Sequence, residues 1–405
     1  MAVFTSTEGQ SNLPRYFAQA FKQLKSSRYG AIDIGLSDGR VFRAQGTEAG
    51  PHARVDIDHP DCFARLAREG DMGFSDGYLE GWWSSPDLQA FVDFVLANNK
   101  EVGHGFPGQG LVQLYERLRH WLRSNTKTQA RKNISYHYDL GNEFYATWLD
   151  DTMTYSSGIF ESGQEGLEAA QTAKYASMCD EMGMKEGDHI LEIGCGWGGF
   201  AEYAAGQRGA RLTCLTISQE QHDFAVERMK KAGLSDRVNV VMRDYRDETG
   251  QYDGIASIEM FEAVGERYWP TYFSAVHDRL KPGARATFQI ITIANELFPK
   301  YRKTVDFIQK HIFPGGMLPS PDVLRVEVGK AGLDFLRSKE FGESYSITLR
   351  RWYERFNHAW PQIEPMHKQF DDRFKRMWDF YLTSCAAGFR YGSTDVTQVT
   401  VQRPG

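Results

Sequence analysis

The chain has no run approaching the roughly 20 consecutive apolar residues that a membrane span needs. Its first residues, MAVFTSTEGQSNLPRYF, lack the basic-then-apolar profile of a secretory signal. Together these point to the cytoplasm. Cysteine is scarce and scattered: Cys62, Cys179, Cys195, Cys214 and Cys385 include no CxxC pair and no Cys/His group at zinc spacing. Reduced thiols and no structural metal are expected. Positive charge is not in excess: 47 Lys and Arg against 53 Asp and Glu leave a net charge of −6. That balance argues against a nucleic-acid binder relying on a globally basic surface. Long internal repeats and low-complexity tracts are missing as well. What remains is a globular composition, 41% hydrophobic and 13% aromatic over 405 residues, enough chain for two or three domains.

Residues 1–105 read as a small mixed domain, with β-like runs such as AIDIGL and ARVDIDH giving way to FARLAREG and the helical LQAFVDFVLANN. The glycine- and proline-rich GHGFPGQG (103–110) marks a boundary. Residues 106–132 form a linker and a basic amphipathic helix. In LVQLYERLRHWLRSNTKTQARKN (111–133), Leu111, Leu114, Leu118, Trp121 and Leu122 recur at helical spacing among Arg and Lys. Amphipathicity alone leaves two uses open, an anionic lipid surface or a solvated face docked on its own domain.

From about residue 185 strand, glycine turn and helix repeat: HILEI and GCGWGG, then RLTCLTI, VNVVM, GIASI and ARATFQIITI, with helices between. A series of this kind builds an α/β fold with a doubly wound, mostly parallel sheet, whose ligand crevice lies at the carboxyl ends of the strands. Glu192-Ile193-Gly194-Cys195-Gly196-Trp197-Gly198-Gly199 follows a strand and opens a helix, the context in which glycines let backbone approach a ligand. An acid just before those glycines suits a cationic or amine-bearing ligand such as S-adenosylmethionine better than a pyrophosphate. A dinucleotide would want an acidic ribose partner after the second strand, where Thr216-Ile217-Ser218 stands, although Glu220 is close.

YHYDLGNEFY (136–145), MTYSSGIFE (153–161), LEIGCGWGGF (191–200), LTISQEQ (215–221), RDYRD (243–247), MFEAVG (260–265), FPGGMLPS (313–320) and FGESYSITL (341–349) occur in that order. Together they resemble the cyclopropane fatty acid synthase family, which includes the mycolic acid cyclopropane synthases. The match is collinear over roughly 133–395, and SDGYLEGWW (75–83) looks like the amino-terminal domain of the phospholipid-acting branch. The resemblance implies a class I methyltransferase (Rossmann-like) domain over 133–405, with a seven-stranded sheet and a helical cap over an acyl site. It further implies S-adenosylmethionine as methyl donor, a small lipid-associated domain in front, and a homodimer. Carried onto this sequence, the cofactor residues are Tyr155, Ser156, Gly194, Gly196, Gly198, Thr216, Gln221, Asp244 and Tyr245, beside the Glu192 already noted, with His137-Tyr138-Asp139 helping to close the site.

Such chemistry needs few conventional catalysts. A sulfonium methyl is already electrophilic and an alkene supplies the electrons, so the protein aligns the two and excludes water. The resulting carbocation calls for an apolar, aromatic-lined tunnel and one base. Phe261, Phe273, Phe288, Tyr301, Phe307, Phe313 and Trp352 fall in or beside the motifs, although core packing accounts for any one of them taken singly.

In the resembled family that base is thought to be a bicarbonate ion held by a cysteine, a glutamate, a histidine, a backbone group two residues beyond it, and a tyrosine. Here Glu262 and Tyr345 match and Ile291 takes the backbone position. Ser157 stands at the cysteine position, Gln289 at the histidine position, and Ala263 where a histidine often follows the glutamate. Ser157 can still donate a hydrogen bond, so anion binding with altered geometry survives that change alone. Gln289 donates but does not titrate near neutral pH; a bond to Tyr345 or Glu262 would give it a merely structural role. Glu259, close to Glu262, could serve as a second carboxylate, but a surface or capping role is preferred for it. The expectation is retained acyl methylation with bicarbonate-assisted ring closure weakened, giving a methyl-branched or methylene chain in place of a cyclopropane. The partners are phospholipid acyl chains at the inner membrane's cytoplasmic face, where the protein would bind peripherally. The competing classes are a dehydrogenating relative acting on an already methylated chain and a lipid binder without catalysis. Consumption of S-adenosylmethionine, and a binding titration with it, separate them.

Overall fold

The structure is a computed structural model in which residues 2–102 and 140–405 are described. The boundary 103–110, the basic helix 111–133 and His137-Tyr138-Asp139 lie outside the described residues.

The amino-terminal part holds a five-stranded mixed sheet. Its strands are β1 (Val3–Phe4), β2 (Tyr29–Leu36), β3 (Val41–Gln45), β4 (Glu48–Ile57) and β5 (Trp83–Ser84), in the order β1-β3-β2-β4-β5. Helices Cys62–Leu79 and Leu88–Ala97 belong to this part.

The larger sheet has seven strands: β6 (His189–Ile193), β7 (Arg211–Thr216), β8 (Val238–Met242), β9 (Tyr252–Ile258), β10 (Leu280–Ile293), β11 (Asp334–Glu340) and β12 (Thr394–Gln402). Their order is β11-β12-β10-β9-β6-β7-β8. β6 to β10 pair in parallel, while β12 runs antiparallel to both β10 and β11. β6 has β7 on one side and β9 on the other, so the winding direction reverses beside it and a crevice opens at its carboxyl end. This is the doubly wound architecture expected from the strand–turn–helix series.

The cap is built from two long helices, Gly342–Ile363 and Asp372–Arg390, whose apolar faces pack on one another. Trp148, fully buried, lies edge-on to Trp352 at 5.7 Å and to Trp378 at 5.5 Å. Each such pair contributes about 0.5–1.5 kcal/mol beyond the area it buries. The same apolar cluster runs on into Phe17, Phe42, Trp83 and Phe91, so amino-terminal sheet and cap share one core. A polar clasp reinforces the contact: Asp76, from SDGYLEGWW, accepts from Lys310 and His311, each at 2.8 Å, in the short π-helix Ile308–Ile312. Burial alone would raise the Asp76 carboxyl, but the His311 and Lys310 bonds outweigh it and hold it at about 2.

Candidate active site

β6 ends at Ile193 and the chain turns through Gly194 (φ 81°), Gly196 (φ 52°) and Gly198 (φ 84°), all in the left-handed region that side chains disfavour. A Cβ at Gly194 would stand 2.7 Å from Met260, whereas one at Gly196 would meet no described residue within 4 Å. Among the described residues, backbone at Gly196 therefore borders open space at the carboxyl end of the sheet. Two residues before this turn Glu192 is 2% exposed, and its side-chain partner among the described residues is the Cys214 thiol at 3.4 Å. Burial pushes its carboxyl up to about 8. After β7, the Thr216 hydroxyl donates to Gln221 at 3.0 Å while Ser218 caps the next helix. Asp244 binds the Arg246 guanidinium in a fork at 2.6 and 2.7 Å. Tyr245 sets its ring edge-on to Tyr272. On the opposite rim Tyr155 bonds Tyr381 through the hydroxyls at 2.7 Å, and Ser156 accepts from Lys174 at 2.6 Å.

The five positions read as an anion site come together at the ends of β9 and β10, but around a residue assigned elsewhere by the sequence reading. Glu259 follows β9 with φ 49°, and three donors converge on its carboxylate: Ser157 N–H at 2.9 Å, Gln289 Nε2 at 2.8 Å and the Tyr345 hydroxyl at 2.6 Å. The Ile291 N–H donates to Glu262 Oε1, leaving Glu262 Oε2 buried and without a hydrogen-bond partner among the described residues. The surface-or-capping reading of Glu259 is corrected: the following short helix, Phe261–Ala263, has no side-chain cap. The structural alternative for Gln289, a bond to Tyr345 or Glu262, does not occur. Its amide bonds Glu259, the Ser157 carbonyl and Gln398, and neither Tyr345 nor Glu262. The Ser157 hydroxyl donates to the Gly158 carbonyl, so its backbone N–H reaches the site in its place.

Burial pushes Glu262 up to about 8, helped by the neighbouring Glu259, whose own carboxyl is also raised by burial. Glu259, Glu262, Ile291, Tyr155, Tyr301 and Phe313 are each partly buried. Met317, from FPGGMLPS, donates its N–H to the Glu262 carbonyl. Phe261, Phe273 and Phe288 are instead solid core on one face of the sheet.

Lys174 was missed by the sequence reading. It is fully buried, and burial lowers its ammonium to about 7 against the opposing pull of Glu259, Asp150 and Glu192. The signal was present: Leu167, Ala170, Gln171, Lys174, Tyr175, Met178, Cys179 and Met182 form one buried helical stripe, with two polar residues inside it.

Residues 125–399 match the family model for mycolic acid cyclopropane synthetase. The chain belongs to this cyclopropane synthetase family. It is 39% identical over 390 residues to the tuberculostearic acid methyltransferase UfaA1 of Mycobacterium tuberculosis, covering 90% of this chain and 88% of that one. It is 36% identical over 362 residues to the cyclopropane-fatty-acyl-phospholipid synthase of Escherichia coli K12, covering 87% and 88%. Among solved structures, the mycolic acid cyclopropane synthase CmaA1 complexed with SAH and CTAB superposes with a TM-score of 0.62 at 28% identity, over 67% of this chain and 98% of that one. The cyclopropane synthase MmaA2 from Mycobacterium tuberculosis gives 0.63 at 27%, with the same coverage.

The two ligands expected of a cyclopropane synthetase fare differently against this geometry. S-adenosylmethionine fits: among the described residues the face of Gly196 is open to close approach, and Glu192, which there meets a weak thiol donor, suits a cationic or amine-bearing group. Bicarbonate does not fit the residues as they stand, because the donors that would hold it are engaged by Glu259 and Glu262.

Proposed function

We propose that this cyclopropane synthetase relative transfers the methyl group of S-adenosylmethionine to the double bond of an unsaturated acyl chain in membrane phospholipid, yielding a methyl-branched or methylene chain. One observation carries the reading. A glycine turn with a buried acid, Gly194 to Gly199 and Glu192, lies at the same end of the sheet as the carboxylate pair Glu259 and Glu262. The bound donor supplies an activated methyl on a cationic sulfur; Tyr155, Ser156, the glycine turn, Thr216, Gln221, Asp244 and Tyr245 would hold it. Tyr155, Ile291, Tyr301 and Phe313 would exclude water around the reacting carbons, so that a carbocation survives long enough to lose a proton. Engagement of the anion donors by the protein's own carboxylates supports branching over ring closure, as does likeness to a relative named for tuberculostearic acid.

The substrate places the enzyme on a phospholipid surface, peripherally and from the cytoplasmic face of the inner membrane, with the stretch 111–133 as a contact and a homodimer as the working unit. No described helix is long and apolar enough to cross a membrane. Co-sedimentation with anionic vesicles and light scattering test contact and dimer. The reaction is tested by mass spectrometry of lipids from cells expressing the protein and fed methyl-labelled methionine. Label in branched or methylene acyl chains is expected; a labelled cyclopropane as main product overturns branching, and no label in lipid overturns the transfer.

A further inference from the structure

We propose that Glu259 is the base of this enzyme, a built-in carboxylate that takes the proton from the methylated acyl cation where a free anion would otherwise serve. The inference deepens the methyl-transfer reading and rests on it. Three features single Glu259 out. It projects from the carboxyl end of β9, immediately after the strand that pairs with β6, and so stands at the sheet edge where ligands of this architecture bind. Its left-handed backbone, φ 49°, is a conformation that non-glycine residues adopt at a cost and keep only when surroundings enforce it. Its carboxylate, finally, collects Ser157, Gln289 and Tyr345, which the sequence aligned with an anion site.

Glu262 is the rival carboxylate, and the donor sets decide between them. Among the described residues Glu262 meets only backbone donors and keeps one oxygen without a partner, whereas Glu259 has three donors and the buried Lys174 ammonium acting on it. Hydrogen bonds and a nearby cation favour the charged form, so the negative charge of the pair resides on Glu259.

The step balances as follows. The alkene π pair forms the new carbon–carbon bond to the methyl group, the methyl–sulfur bond breaks with its pair leaving on a neutral thioether, and the neighbouring carbon becomes cationic. Glu259 then accepts a proton from a carbon adjacent to the cation, and the freed C–H pair becomes a new carbon–carbon double bond. Proton loss along the chain gives a methylated alkene; a prior hydride shift onto the cation, followed by proton loss from the added methyl, gives a methylene. No oxidant or reductant enters, and the proton on Glu259 returns to water before the next turnover.

The test measures turnover of purified full-length protein on dioleoyl phosphatidylglycerol vesicles with deuteromethyl-labelled S-adenosylmethionine. Wild type is expected to keep its rate in bicarbonate-free buffer. Glu259→Gln is expected to lose about 100-fold or more in kcat, the usual scale for a removed base, while donor affinity by calorimetry stays within about threefold. Glu259→Gly suits the left-handed backbone and leaves a carboxylate-sized space. Formate should rescue it at least about tenfold, and nitrate, of similar shape and charge but not basic, should not. The assignment is overturned if removing bicarbonate stops wild type, if Glu259→Gln turns over at the wild-type rate, if formate restores nothing, or if nitrate rescues as well as formate. Wild type transferring no label to these vesicles overturns the reaction itself, and the base with it.

Discussion

Glu192 and Glu259 stand at the carboxyl ends of two paired parallel strands, β6 and β9, and both lie deep in the protein, yet the protein furnishes them in opposite ways. Glu192 receives one thiol donor at 3.4 Å. Glu259 receives a backbone amide, a side-chain amide and a phenol, all between 2.6 and 2.9 Å. A thiol is a poor donor, so Glu192 retains most of its capacity for a cationic partner, whereas the Glu259 charge is already met from within. The lesson is that one crevice holds two carboxylates with separate tasks: the first recognises a charged ligand, and the second stays ready to take a proton.

That division breaks most visibly if the two acids are exchanged in a binding experiment. Glu192→Gln should weaken S-adenosylmethionine about 10- to 100-fold, the scale of a lost buried hydrogen bond to charge, while Glu259→Gln leaves affinity nearly intact. Isothermal calorimetry on both variants checks this. Equal losses would mean that both acids serve the same ligand and that the comparison is false.

A smaller effect is expected at Lys174, which faces both acids. Its charge pulls the Glu259 carboxyl down against burial, so Lys174→Met should raise that carboxyl further. The base then ionises at higher pH, and the rising limb of kcat against pH moves upward. One unit of movement corresponds to about a tenfold loss of rate on that limb. A kcat profile that keeps its position while protein stability falls would leave Lys174 as packing alone.

How much of this was readable beforehand varies with the physics that fixes each part. The βαβ series and the glycine turn were legible because strand patterning and positive-φ glycines are local properties. Ser157, Gln289, Ile291, Glu262 and Tyr345 were legible as a set through their motifs, and the fold does gather them. Glu259 was legible only as the less-preferred of two readings, a second carboxylate, since the direction of its side chain depends on a φ of 49° that strand alternation does not encode. Lys174 was legible in principle, as a charge inside a buried heptad-like stripe, but only once the helix Leu167–Met182 is drawn with period 3.6. The joint core of cap and amino-terminal sheet was out of reach, because Trp83, Trp148 and Trp378 belong to one cluster assembled from distant stretches of chain.

The smallest effect sharpens the choice between the neighbouring acids. Glu262 ionises near 8 in the folded protein against a usual 4.5, chiefly because of burial and then because of Glu259. Its folded value is raised, so the unfolded chain gives up the proton first as pH climbs. Whatever stability the neutral carboxyl confers is complete below about 4.5 and is lost progressively as pH approaches 8. Glu262→Gln keeps the shape and one acceptor but cannot ionise, so it escapes that loss. Its melting temperature relative to wild type should therefore improve on going from about pH 5 to about pH 8, by at least about 2 °C, the scale of one kcal/mol in a chain this long. Glu259→Gln presents an amide to donors that want an anion, so it should stay below wild type at both values. If instead Glu262→Gln loses ground with rising pH, the charge of the pair sits on Glu262, and the proton-accepting role passes to it.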